Sequence, residues 1–265
     1  MTARQPQIAR SWPLVLSSAR RLSWAPRFAR DFAIVIGVLL VYFLLRGQAP
    51  ANADFAMKVT RVLVDLERDT ATFWEPQIQA VSIKLYAVQE IANFVYAYAH
   101  FPVLAAVGAW LWFRGRERFV FMRNVMFISM VFGLLFYYLL PAAPPRLLAG
   151  PGYNLGFVDT VFGGNTAVSY AQPSLILNNY AAIPSFHFGW IALASAAIWV
   201  NTRNRWLRAF AVALSAIMCW AIVATANHFF IDLAIGGAVV AFSRHLARRS
   251  ERHNDRKAAR RGATL

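Results

Sequence analysis

The chain has 265 residues, of which 58% are hydrophobic, 15% aromatic and only 15% charged, and it carries a formal net charge of +15. Soluble domains are nearer half apolar and a quarter charged, and here the apolar residues come in long blocks, which excludes an ordinary soluble domain. The one cysteine, Cys219, lies inside an apolar run, so neither a disulfide framework nor a cysteine-based metal site is available.

Residues 1–30 hold six arginines with Trp12 and Trp24, a basic cytoplasmic segment with the makings of an amphipathic stretch on the membrane surface. No secretory signal is read, because the first apolar run begins only after residue 31 and lacks a small-residue cleavage site. Six blocks approach the roughly 17–25 residues that span a bilayer as helix. They lie near 31–47, 89–113, 119–141, 184–201, 206–226 and 228–246, the first being marginal in length. The last two adjoin almost without a loop and predict a tight helical hairpin. The expected fold is all-α: a polytopic membrane domain over 31–246 with six transmembrane helices, followed by a basic cytoplasmic tail at 247–265.

Between the first two blocks, residues 48–88 show helical spacing at Val59, Val62, Leu63 and Leu66 and then Trp74-Glu75-Pro76. One or two amphipathic helices lying at the membrane interface are expected there. Residues 141–183 are rich in Pro, Gly and Asn and begin Pro141-Ala-Ala-Pro-Pro-Arg146, the composition of an irregular loop. Of 27 Lys and Arg, 21 fall in the amino terminus, 114–123, 202–208 and 244–261, one set of alternate segments. By the positive-inside rule both termini are cytoplasmic, in a cell membrane, and the 141–183 loop is extracytoplasmic. The tail is then an orientation signal that meets anionic lipid, and nucleic acid is not a partner.

On that topology Arg146, His187, His228 and Asp232 share one depth at the extracytoplasmic ends of helices, although they come from distant parts of the chain. Ionisable residues at membrane depth are costly, and their clustering marks a functional site. In a helical run, His228 and Asp232 stand one turn apart on one face. The carboxylate can hold Nδ1–H and leave Nε2 as a free lone pair, although a capped helix start with a satisfied His–Asp hydrogen bond explains the pair equally well. A second histidine in Pro184-Ser185-Phe186-His187 strengthens the functional reading. Pro184 suits the first position of a helix, leaving the amides of Ser185, Phe186 and His187 free to cradle an oxyanion, with Arg146 adding a fork of donors. An anion cradle and two histidines are the parts that phosphoryl transfer through a phosphohistidine needs.

Pro184-Ser185-x-His187 followed by His228-x-x-x-Asp232 resembles the second and third motifs of the type 2 phosphatidic acid phosphatase superfamily, over about residues 50–245. Pro-Pro-Arg146, Gly156-Phe-Val-Asp159-Thr, Tyr180-Ala-Ala-Ile-Pro-Ser and Ala-Asn227-His228 resemble its inositol phosphorylceramide synthase and inositolphosphotransferase-like branch. The resemblance implies that His228 attacks phosphorus, Asp232 orients it and His187 protonates the leaving group. Arg146, Ser185 and Phe186 would bind phosphate oxygens, with no metal or other cofactor. The implied substrate is a membrane lipid with a phosphate or phosphodiester head group, and the implied acceptor is a polyol or water.

The first motif's lysine is absent, its arginine follows proline, the glycine between Ser185 and His187 is Phe186, and Ala221-Ile222 stand where Ser-Arg is expected. One phosphate-binding arginine is therefore missing, which favours a transferase acting on a less charged phosphodiester over a plain phosphatase. Asn93, His100, Asp159, Tyr180 and Asn227 are candidates for a head-group pocket. For Asn93 and His100, on one helix face with Glu90, Tyr96 and Tyr98 nearby, bonding within the bundle serves equally well. For Asp159, capping a turn does. Trp110, Trp112, Trp190 and Trp199 are expected mainly at lipid-facing or interfacial positions. A transporter or flippase using intramembrane His and Asp is the competing class, but the chain shows no inverted repeat.

Overall fold

The computed structural model describes residues 24–149, 155–163, 166–168 and 170–262. The expected surface segment at the amino terminus lies outside these as far as residue 23. The chain divides into two compact units, 1–39 and 40–265. In the first, the described residues open helix α1 (Ala25–Gly47), where the Phe28 and Phe32 rings stack 4.3 Å apart.

The second unit begins with the last turns of α1 and is otherwise built from α2 (Ala53–Asp69), α3 (Glu75–Ser82), α4 (Tyr86–Arg114), α5 (Arg116–Leu139), α6 (Phe186–Asn201), α7 (Arg205–Ala224) and α8 (Phe230–Gly262). The protein is an all-helical membrane protein. Among the described residues, five helices are long and apolar enough to cross a membrane: α1, α4, α5, α7 and Phe230–Asn254 of α8. The sixth expected span, α6, is shorter at 16 residues, or about 24 Å. Its start is delayed by Pro184 and the capping Ser185, and it stops at Thr202. α8 continues through the basic tail to Gly262.

Both interfacial helices are present, and they bury a stripe different from the one their apolar spacing suggests. α2 starts at Asn52, whose side chain accepts the Phe55 amide at 3.0 Å. It buries Ala56, Thr60, Val64 and Glu67 and leaves Val62 and Leu66 exposed. α3 buries Glu75, Gln79 and Ser82, while Val81 is 66% exposed. A membrane surface inverts the usual preference: apolar side chains can face lipid, and polar ones turn inward to find partners. Those partners lie in the loop. Thr60 Oγ1 binds the Ala143 amide at 2.8 Å, and Gln79 binds both the amide and the carbonyl of Val158, at 2.9 and 2.8 Å.

α6 and α8 cross where neither has a side chain. A Cβ on Gly189 would lie 2.9 Å from the Gly236 carbonyl, and one on Gly236 would run into the backbone of Ser185. Small residues at a crossing let two helices approach closely, and the Ser185 amide thereby donates to the Asp232 carbonyl at 3.0 Å. The expected α7–α8 hairpin is as tight as predicted. Asn227 and His228 both donate their amides to Ile222 O, at 3.0 and 3.2 Å, while Ala226 takes a left-handed φ of 51°. Against its outer side pack Val64, Leu148, Phe157 and Phe229, a small core that joins α2 and the loop to the start of α8.

Candidate active site

At the end of the bundle that carries α2, α3 and the 141–183 loop, a cavity of about 270 Å³ opens between α1, α4, α6 and the α7–α8 hairpin. His100, Arg146, Phe186, His187, Asn227 and His228 all line it, so six of the sequence-derived candidates come together there. Asp232 stands directly behind, wholly buried.

His228 precedes α8, which starts only at Phe230. The His–Asp pair therefore rests on a capping turn and not on helical stacking. Asp232 Oδ2 lies 3.3 Å from His228 Nδ1 and also accepts the Phe229 amide at 2.9 Å. With Nδ1 directed at the carboxylate, the tautomer with Nε2 unprotonated is favoured, and the ring also meets the backbone of Ala182. The His187 ring lies beside that of His228, 6.0 Å away between centroids and tilted by 50°. His187 itself is stacked on Tyr96 at 4.7 Å and lies 4.7 Å from His100.

Arg146 reaches the cavity from a short 3₁₀ turn, Pro145–Ala149, whose amide at Arg146 donates to Ala226 O at 2.8 Å. Its Nε donates to Asn227 Oδ1 at 2.9 Å, its Nη1 lies 3.6 Å from Asp159 Oδ2, and the guanidinium covers Phe162 at 4.3 Å. Asp159 thus does two things: it caps its own turn through the amides of Val161 and Phe162, at 3.2 and 2.8 Å, and it holds Arg146. Asn227 is a similar strut, with its amide nitrogen on Thr225 O and Oγ1.

Several expectations take a different form. Pro184 precedes the cap of α6, so it is not the first helical residue. Ser185 is fully buried behind the cavity wall; its amide is used by Asp232 O and its hydroxyl caps Phe188, so the cradle is left to the amides that follow. Asn93 lies outside the wall. It bonds to Thr160 O and Thr166 Oγ1 at 2.9 and 3.0 Å and ties α4 to the loop. The separation from His100 comes from a π-helical turn, Val95–Ala99, between them. At about 4.4 residues per turn, five such residues rotate the helix roughly a quarter turn away from the α-helical register. Tyr180 contributes its backbone, accepting the Ala142 amide at 2.8 Å. Trp190 is 1% exposed, not lipid-facing; its indole N–H donates to Ser129 at 3.0 Å, and its ring forms part of the wall.

Sequence reasoning missed Arg46. It stands in the last turn of α1 and lines the cavity opposite Arg146. Its guanidinium lies 5.9 Å from the rings of Phe43 and Tyr137 and has no carboxylate partner among the described residues. The signal was available: a lone arginine closing an apolar span on the side that the other basic residues avoid. Tyr42, bonded to Tyr137 at 3.1 Å, and the polar loop residues Tyr170 and Gln172 complete this side of the cavity.

A cavity at one end of a helical bundle, lined by Arg46, Arg146, His187 and His228 with Asp232 buried behind it, belongs here to an integral membrane protein. The chain matches the PAP2 superfamily over residues 61–247 and belongs to it. Members of this superfamily are generally lipid phosphatases or phosphotransferases. Comparison with curated proteins and with solved structures returns no match.

Proposed function

We propose that the protein transfers a phospho-head group from a membrane lipid to an alcohol acceptor through a phosphohistidine, in the manner of an inositolphosphotransferase. The observation that carries this reading is the opposition of His228 and His187, at 6.0 Å between ring centroids, in a cavity walled by Arg146 and Arg46. His228 Nε2 attacks phosphorus and the bond to the leaving oxygen breaks. That oxygen takes its electron pair and accepts a proton from His187. His187, now neutral, removes the proton of the incoming hydroxyl, whose oxygen displaces His228 and restores both rings. Asp232 holds Nδ1–H throughout and stabilises the charge that develops on the ring.

Arg46 supplies the second cation that the motif comparison found missing. Arg146 is already held by Asp159 and Asn227, so its fork is pre-oriented, and with two guanidinium groups present the count of cations no longer separates a phosphodiester from a monoester. Gln172 is a candidate contact for an alcohol acceptor. Its Oε1 is buried without a donor among the described residues, and its amide nitrogen is occupied by Tyr170. A buried acceptor of this kind is satisfied by a polyol hydroxyl.

The test is to incubate purified protein with phosphatidylinositol, or with phosphatidic acid, together with a diacylglycerol or ceramide acceptor, and to identify products by mass spectrometry. Head-group transfer is the expected result. Release of inorganic phosphate alone, with or without acceptor, would replace the transferase reading with that of a lipid phosphate phosphatase.

A further inference from the structure

The start of α8, which carries the His228–Asp232 pair, is held by carboxyl groups at three consecutive amides. Phe229 N donates to Asp232 Oδ2 at 2.9 Å, Phe230 N to Glu75 Oε1 at 2.7 Å and Ile231 N to Glu67 Oε1 at 2.7 Å. The first carboxyl is local. The other two come from α2 and α3, more than 150 residues earlier in the chain. Glu67 is 2% exposed and Glu75 is fully buried, on the inward polar stripes of two helices that expose Val62, Leu66 and Val81 on their other side. The amides at a helix start have no partner within the helix. An acid there interacts favourably with the positive end of the helix dipole.

We propose that Glu67 and Glu75 are positioning residues for the nucleophile: a buried carboxyl pair that grips the amides of Phe230 and Ile231 and so fixes the turn holding His228 against Asp232. The proposal rests on His228 being the nucleophile and assigns a task to the interfacial helices.

The chemistry of the pair supports this role. Glu67 Oε2 and Glu75 Oε2 are both buried, and no N–H or O–H of another group among the described residues reaches them. Burial holds both carboxyls above the ordinary carboxylate range, so the neighbouring pair can share one proton at neutral pH. Burial first, and then the Glu75 charge, push the Glu67 carboxyl up to about 9. The charged groups acting on it are Glu75 and Asp232. Arg68, next in sequence, turns toward Asp65 at 3.9 Å and the Phe73 ring at 5.1 Å. A shared proton lets each carboxyl present one oxygen to a backbone amide without mutual repulsion.

The experiment compares wild type with Glu67→Ala, Glu75→Ala, Glu67→Gln and His228→Ala in detergent. Phosphatidic acid and phosphatidylinositol serve as the probes, and hydrogen exchange is followed at residues 229–231. Each alanine variant should lose kcat on the order of a hundredfold, since small misplacements of a reacting group cost this much, with KM little changed. Their amides at 230 and 231 should exchange at least roughly tenfold faster. Glu67→Gln should restore both properties at neutral pH, because its amide oxygen still accepts from Ile231 and its N–H₂ replaces the shared proton. Wild-type turnover should fall as pH rises through about 9, where Glu67 ionises, and Glu67→Gln should lack that alkaline limb. Wild-type kcat and exchange in both alanine variants, or a Glu67→Gln variant as impaired as Glu67→Ala, would overturn the clamp. Turnover by His228→Ala would instead overturn the nucleophile assignment. If neither lipid is turned over, the lipid-phosphate reading fails while the exchange data still decide the clamp.

Discussion

At the scale of single residues, the two histidines occupy unequal places, and their variants should separate. His228 is tied to Asp232 through Nδ1 at 3.3 Å, while His187 stacks on Tyr96 and meets His100 at a tilt, with no carboxylate bonded to it among the described residues. His228→Ala removes the atom that bonds to phosphorus, and turnover of every substrate should drop by at least about 10⁴-fold. His187→Ala removes acid assistance, worth about a hundred- to ten-thousand-fold for a poor leaving group. With a nitrophenyl phosphate ester, which leaves readily as its anion, rapid mixing should show a stoichiometric burst from His187→Ala followed by a stall. A burst from His228→Ala would reverse the roles. Arg46→Gln should reduce kcat/KM by about ten- to a hundredfold, from the roughly 1.5–3 kcal/mol of a charge-assisted hydrogen bond. Arg146→Gln should cost more, because it also releases Asp159 and Asn227.

At the scale of elements, two adjacent glycines of α8 make opposite predictions. A Cβ on Gly236 would press on the backbone of Ser185, which has no flexible end to give way. Gly236→Ala should force α8 from α6, at about 1–3 kcal/mol, and should move His228 away from His187 so that activity falls with Tm. A Cβ on Gly237 meets only Phe188 at 3.8 Å, an ordinary contact. Gly237→Ala should leave activity intact and raise stability by up to about 1 kcal/mol through helix propensity. Thermal unfolding of the two variants in one detergent checks both. α2 and α3 add a pH effect. Glu67 keeps its proton in the folded state up to about 9, whereas an unfolded carboxyl loses it near 4. Stability is therefore greatest below the ordinary carboxylate range and declines as pH rises toward 9, with the slope set by the extra proton bound when folded. Glu67→Gln should flatten that decline in a urea titration run at several pH values.

For the whole molecule, the helical alternation puts the candidate site and the 141–183 loop at one end and the basic connections 114–123 and 202–208 at the other. The charge bias predicts that the site end faces out of the cell. In a Cys219→Ser background, an impermeant thiol reagent applied to intact cells should label Leu175→Cys, which is 58% exposed beside the site, and should spare Asn254→Cys on α8. The reverse labelling would place the site in the cytoplasm.

The sequence by itself determined the membrane class, the helical blocks and the residue types at the site, because these depend on composition and local order. Long apolar runs can only become helices where no water satisfies the backbone, and a histidine four residues before an aspartate survives a shift of the helix start by one or two positions. The α7–α8 hairpin was legible for the same reason. Which residues face the cavity was decided only by tertiary structure. Asn93 and His100 share a face on paper, and a π turn separates them. Arg46 reached the cavity because the end of α1 packs beside α5, where Tyr42 meets Tyr137. Glu67 and Glu75 were not singled out by the apolar spacing of residues 48–88, yet they are buried, because burial there follows the availability of polar partners. Those partners, the free amides at the start of α8, lie more than 150 residues further along the chain.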